Sequence, residues 1–89
     1  MADKPIFILD SFALLAYLQG ESGMVRVQAI LRDAEKSRCF VHICIINLGE
    51  VLYIIEREQG LAKTHETLAA IQRLPIEVLP VNNQTVLDA

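Results

Sequence analysis

Three short apolar runs, at residues 6–9, 40–43 and 76–79, decide what this chain is able to fold into, because each is separated from the next by enough residues for two helices. The first run sits between Pro5 and Asp10 and is apolar throughout, which suits a strand buried on both faces. Asp10 and Ser11 then offer caps for a helix over residues 12–18, with Gly20 at its close and a turn at Gly20, Glu21 and Ser22. From residue 23 onward Val27, Ile30, Leu31 and Ala34 recur at helical spacing, and Arg26, Arg32, Asp33, Glu35 and Lys36 occupy the remaining surface. A second strand is expected at 40–43, followed by a helix over 45–58 that Gly60 terminates. A further helix over 62–73 breaks at Leu74 and Pro75, and a third strand over 76–79 precedes Pro80. The order β-α-α-β-α-α-β implies parallel pairing through right-handed crossovers, hence an α/β fold in three layers, α/β/α, around a small parallel sheet. Neither an internal repeat nor a linker divides residues 1–89, so one domain is expected.

A hydrophobic content of 53% exceeds what a small globular domain requires. Either helices cover both faces of the sheet, or part of the surface is buried against something else. The net charge of -3 argues against a broad basic surface for nucleic acid, although bound cations would supply positive charge locally. Cys39 and Cys44 flank one extended segment, which holds them roughly 16 Å apart at about 3.3 Å per residue, too far to bridge. Zinc-ligand spacing is absent as well, so a reduced, cytoplasmic setting is the simplest expectation. Apolar runs of membrane-spanning length are lacking, and Asp10 interrupts the one candidate for a signal segment. At the other end, Asn82 or Asn83 is placed to cap a new helix, yet only residues 84–89 follow, and such a stub lacks the length to stand alone. The chain is therefore expected to stop where a domain would continue.

Ligands of open parallel sheets gather beyond the carboxyl ends of the strands, where Asp10 stands. An N-cap explains the same residue equally well. On the third helix Asn47, Glu50, Arg57 and Glu58 fall within a sector of roughly 100°. That is either a solvated stripe or the mount for an acid. His42 reads as a core residue without a companion ligand, His65 as solvent-facing, and Phe12 and Tyr17 as helix-face packing. Arg26, Arg32, Lys36 and Arg38 have acidic neighbours and read as a solvated surface.

The segment Ile6-Phe7-Ile8-Leu9-Asp10-Ser11-Phe12-Ala13-Leu14-Leu15-Ala16-Tyr17-Leu18 and the segment Ile45-Ile46-Asn47-Leu48-Gly49-Glu50-Val51-Leu52-Tyr53 resemble the first and second acidic motifs of PIN domains, in the same order and at matching separation. Leu74-Pro75-Ile76-Glu77-Val78-Leu79-Pro80-Val81 is similar to the third strand of VapC-type members. The resemblance implies a Mg²⁺- or Mn²⁺-dependent endoribonuclease, the toxin of a VapBC toxin and antitoxin pair, with Asp10 and Glu50 as catalytic and metal-binding acids and Ser11 and Asn47 in support. Hard divalent ions prefer carboxylate oxygens, which is why acids are required there. It also implies an RNA substrate and an antitoxin that docks in an apolar groove between helices.

Phe12 departs from the pattern, standing where many relatives have a small polar residue. The family's later acids belong to segments downstream of Ala89, and Asp88 does not match them. The resemblance thus implies a PIN-like domain lacking its C-terminal strands, weak or inactive as a nuclease. Its first strand would have an open edge and self-associate. Two other readings stand beside it: a non-catalytic protein-interaction module on the same fold, and a phospho-acceptor receiver domain. The receiver fits poorly, because an acidic pair does not follow the first strand.

Overall fold

A computed structural model describes residues 4–80. The expected element order is present: β1 (Ile6–Leu9), α1 (Ser11–Gln19), α2 (Met24–Glu35), β2 (Phe40–Cys44), α3 (Ile45–Gln59), α4 (Leu61–Gln72) and β3 (Glu77–Leu79). All pairing is parallel, in the order β1-β2-β3. The expected helix beginning at Asn82 or Asn83, the stub over 84–89, and Asp88 lie outside the described residues.

The sheet's register sorts the side chains. Ile6 pairs with Phe40, Phe7 with Val41, Ile8 with His42 and Leu9 with Ile43. One face therefore presents Phe7, Leu9, Val41 and Ile43, and the other presents Ile6, Ile8, Phe40 and His42. Helices cover the first face. Ile43 packs with Leu14 and Leu15 of α1, Leu48, Val51 and Ile55 of α3 and Ile71 of α4. Leu9 and Val41 pack with Val27 and Leu31 of α2. Buried Thr64 and Thr67 on α4 satisfy their hydroxyls by donating to the carbonyls of Gly60 and Lys63, one turn back.

The opposite face corrects the expectation that β1 is buried on both sides. Ile6 is 59% exposed, Ile8 68% and Phe40 50%. Alternate residues of an all-apolar strand look the same in sequence whichever side the helices take. The α/β class and the small parallel sheet are as expected, and among residues 4–80 the helices pack on the face of Phe7, Leu9, Val41 and Ile43. His42 also departs from its reading as a core residue: it lies on this open face, where its Nε2 is 3.2 Å from Glu77 Oε2 on β3. His65 is exposed and Tyr17 packs into the core, as expected. Cys39 and Cys44 are free thiols.

Candidate functional site

The site begins with the in-register ends of β1 and β2. Leu9 and Ile43 are partners, so Asp10 and Cys44, the next residues, leave the sheet at the same edge on strands about 4.8 Å apart. Each strand passes directly into a helix: α1 starts at Ser11 and α3 at Ile45. Asp10 has extended backbone and caps α1, its Oδ1 accepting a 2.8 Å hydrogen bond from the N–H of Ala13. The capping role thus belongs to Asp10, and Ser11, read as a possible cap, is instead the first helical residue. Ser11 is 95% buried by residue, with a solvent exposure of 5%, and its hydroxyl makes no hydrogen bond among the described residues.

Glu50 stands five residues beyond the start of α3, about 7.5 Å along the helix axis at 1.5 Å per residue. It is exposed, and Asn47, one turn earlier on the same side, is half-buried. The buried stripe of α3 consists of Leu48, Val51 and Ile55, which pack with α1 and so fix the helix beside Asp10's own helix. The exposed side of α3 is not purely polar as expected: Ile46 and Tyr53 lie there too, with the Arg57 guanidinium 5.7 Å from the centre of the Tyr53 ring. Phe12 is 79% exposed, which overturns its reading as a packing residue; it projects from the first turn of α1, at the sheet's edge.

The two carboxylates are accessible, and neither forms an ion pair among the described residues. Oxygen donors of this kind are what Mg²⁺ or Mn²⁺ takes. A cluster of three or more His, Cys, Asp or Glu able to hold a metal is absent from the described residues. The well-formed concavities lie elsewhere. A cleft of about 470 Å³ at the amino ends of the strands is lined by Lys4, Cys39, Phe40, His42, Leu74 and Glu77. A second, of about 480 Å³, lies between Leu18, Gln19, Ile55, Gln59, Lys63 and Thr67.

The family model described as PIN domain matches residues 7–89. The chain belongs to the PIN-domain family. PIN domains are generally nucleases, they typically use divalent metals, and the family suggests RNA as the ligand. No curated protein and no solved structure gives a match to the chain. In this PIN domain both acids of the resembling motifs follow the carboxyl ends of neighbouring parallel strands, Asp10 at once and Glu50 in the second turn of the next helix. Among the described residues, no helix is long and apolar enough to cross a membrane.

Proposed function

We propose that this PIN domain is a metal-dependent endoribonuclease of the VapC toxin type, with Asp10 and Glu50 as its metal-binding and catalytic acids. The observation that supports it best is the level ending of β1 and β2 at Leu9 and Ile43, beyond which both acids follow in a chain of this family. Asp10 commits Oδ1 to the α1 cap and keeps Oδ2 for a cation; the exposed Glu50 carboxylate offers the second donor. A Mg²⁺ or Mn²⁺ ion, when bound, supplies positive charge and Lewis acidity against the scissile phosphate. Ser11 and Asn47 orient the acids or bound water through their hydroxyl and amide. Two carboxylates leave most positions around a hard cation to water or further oxygen donors. The reading carries a cytoplasmic setting, and an antitoxin as protein partner; the groove between α1, α3 and α4 is the candidate seat for it.

Mn²⁺ titration followed by cleavage of a structured RNA tests this, with the unmodified chain, Asp10→Asn and Glu50→Gln compared at equal folding. Saturable Mn²⁺ binding and Mn²⁺-dependent cleavage, both lost in either variant, support the nuclease. A folded chain that neither binds Mn²⁺ nor cuts RNA is instead a non-catalytic protein-interaction module, a reading favoured by the open apolar face of Ile6, Ile8 and Phe40.

A further inference from the structure

The residues of α3 divide by side. Leu48, Val51 and Ile55 point into the core, whereas Gly49, Glu50, Tyr53 and Arg57 are exposed. At about 100° per residue, Arg57 lies within roughly 20° of Glu50 around the helix, and Tyr53 within roughly 60°. At 1.5 Å per residue they stand about 10.5 Å and about 4.5 Å farther along the axis. Tyr53 is 62% exposed, and the Arg57 guanidinium lies 5.7 Å from its ring centre. Arg57 makes no ion pair among the described residues, although Glu56 and Glu58 flank it in a chain of net charge -3. Gly49, one turn before Tyr53, is an independent signal. Glycine weakens a helix interior, and a Cβ at Gly49 would meet nothing within 4 Å, so packing does not require it. Helical side chains lean toward the N-terminal end of their helix, which carries the Tyr53 ring over the turn that Gly49 leaves bare.

We propose that Gly49, Tyr53 and Arg57 form a nucleotide subsite beside the acids, an inference that rests on the nuclease reading given above. A base of the RNA stacks on the exposed Tyr53 ring, the bare turn at Gly49 admits its edge, and the Arg57 guanidinium donates to a phosphate of the same strand. Every base has a π-face, so this subsite holds RNA without selecting a sequence. Tyr53 stands less than one turn beyond Glu50, so the base it holds belongs close to the phosphate at that acid. Arg57 brings a local cation to a chain whose net charge of -3 gives it no broad basic surface. A Tyr–Arg pair at i, i+4 would also serve the helix alone. That role leaves Gly49 without a reason, because a longer side chain there would strengthen the same helix.

Fluorescence anisotropy of a short, unstructured, dye-labelled RNA titrated with the full chain tests this, with Ca²⁺ in place of Mn²⁺. Tyr53→Ala is expected to weaken binding roughly 5- to 100-fold, and Tyr53→Phe to leave it unchanged. Arg57→Gln weakens it as well and lowers the slope of affinity against salt by about one. Gly49→Gln raises the thermal midpoint yet weakens binding, a combination that a purely structural role would not produce. In Tyr17→Phe, Tyr53 is the one tyrosine left in a chain without tryptophan, and its emission is quenched as RNA is added. Mn²⁺ binding, measured separately by calorimetry, stays intact in these variants. A folded chain that binds Mn²⁺ but no RNA, or whose RNA affinity Tyr53→Ala leaves unchanged, overturns the subsite alone. A folded chain that binds neither overturns the nuclease reading with it.

Discussion

Asp10 and Ala13 are joined by a 2.8 Å hydrogen bond from the backbone N–H of Ala13 to Oδ1, so the first candidate ligand also holds the start of α1. The two duties separate by substitution. Asparagine caps a helix about as well as aspartate, whereas alanine removes the acceptor at a cost of about 1 kcal/mol. Asp10→Asn is expected to keep the urea midpoint of the unmodified chain and lose Mn²⁺ affinity; Asp10→Ala is expected to lose both. Equal midpoints for the two variants would remove the cap from the account.

Glu50 is exposed and unpaired among the described residues, so its charge contributes little to the fold. Glu50→Gln should leave stability within about 0.5 kcal/mol of the unmodified chain. A fall in Mn²⁺ binding without a fall in thermal midpoint, read by calorimetry on one sample, is the expected signature of a ligand.

Ile43 is fully buried where helices α1, α3 and α4 converge on the sheet. Truncation to alanine removes apolar contacts and leaves a cavity, for a loss of about 2–5 kcal/mol. That is a large share of a small domain's stability of about 5–15 kcal/mol. Phe12→Ser, at a residue 79% exposed, should be nearly neutral by the same urea titration. A Phe12→Ser loss as large as that of Ile43→Ala would place Phe12 in the core after all.

Gly60 joins α3 to α4 with φ 90° and ψ 173°, a backbone region essentially restricted to glycine. A Cβ there would meet nothing within 4 Å, so any cost of Gly60→Ala comes from the backbone alone. The expected loss is about 1–3 kcal/mol, measured as a lower thermal midpoint. A neutral result would mean that the junction rearranges without penalty.

Most of the architecture was legible because periodicity changes sharply at its boundaries. Pro5, Gly20, Gly60 and Pro80 punctuate the chain close to where elements begin and end, and Asp10 announced both a strand end and a helix start. The exposure of Ile8 was not legible. A strand reading Ile-Phe-Ile-Leu has no polar residue to reveal its solvent side, and the covered side depends on where four helices dock. Phe12 failed for a related reason: an apolar residue among apolar neighbours in α1 reads as packing, yet it is 79% exposed. His42 was misplaced because its partner, Glu77, is brought alongside only by the β2–β3 register, which no local pattern encodes. For the site, the two acids stood out by resemblance, whereas their common edge became evident only from the pairing of Leu9 with Ile43.

The level endings of β1 and β2 also determine where length can drift. A residue inserted between Ile6 and Asp10, or between Phe40 and Ile45, would swing the following helix to the wrong side and reverse inside and outside along the strand. The turn near Ser37, with its positive φ of 60°, and the turn after Gly20 stand apart from that edge. Insertions and deletions should therefore accumulate in those turns, while the two strand-to-helix junctions keep their length to the residue.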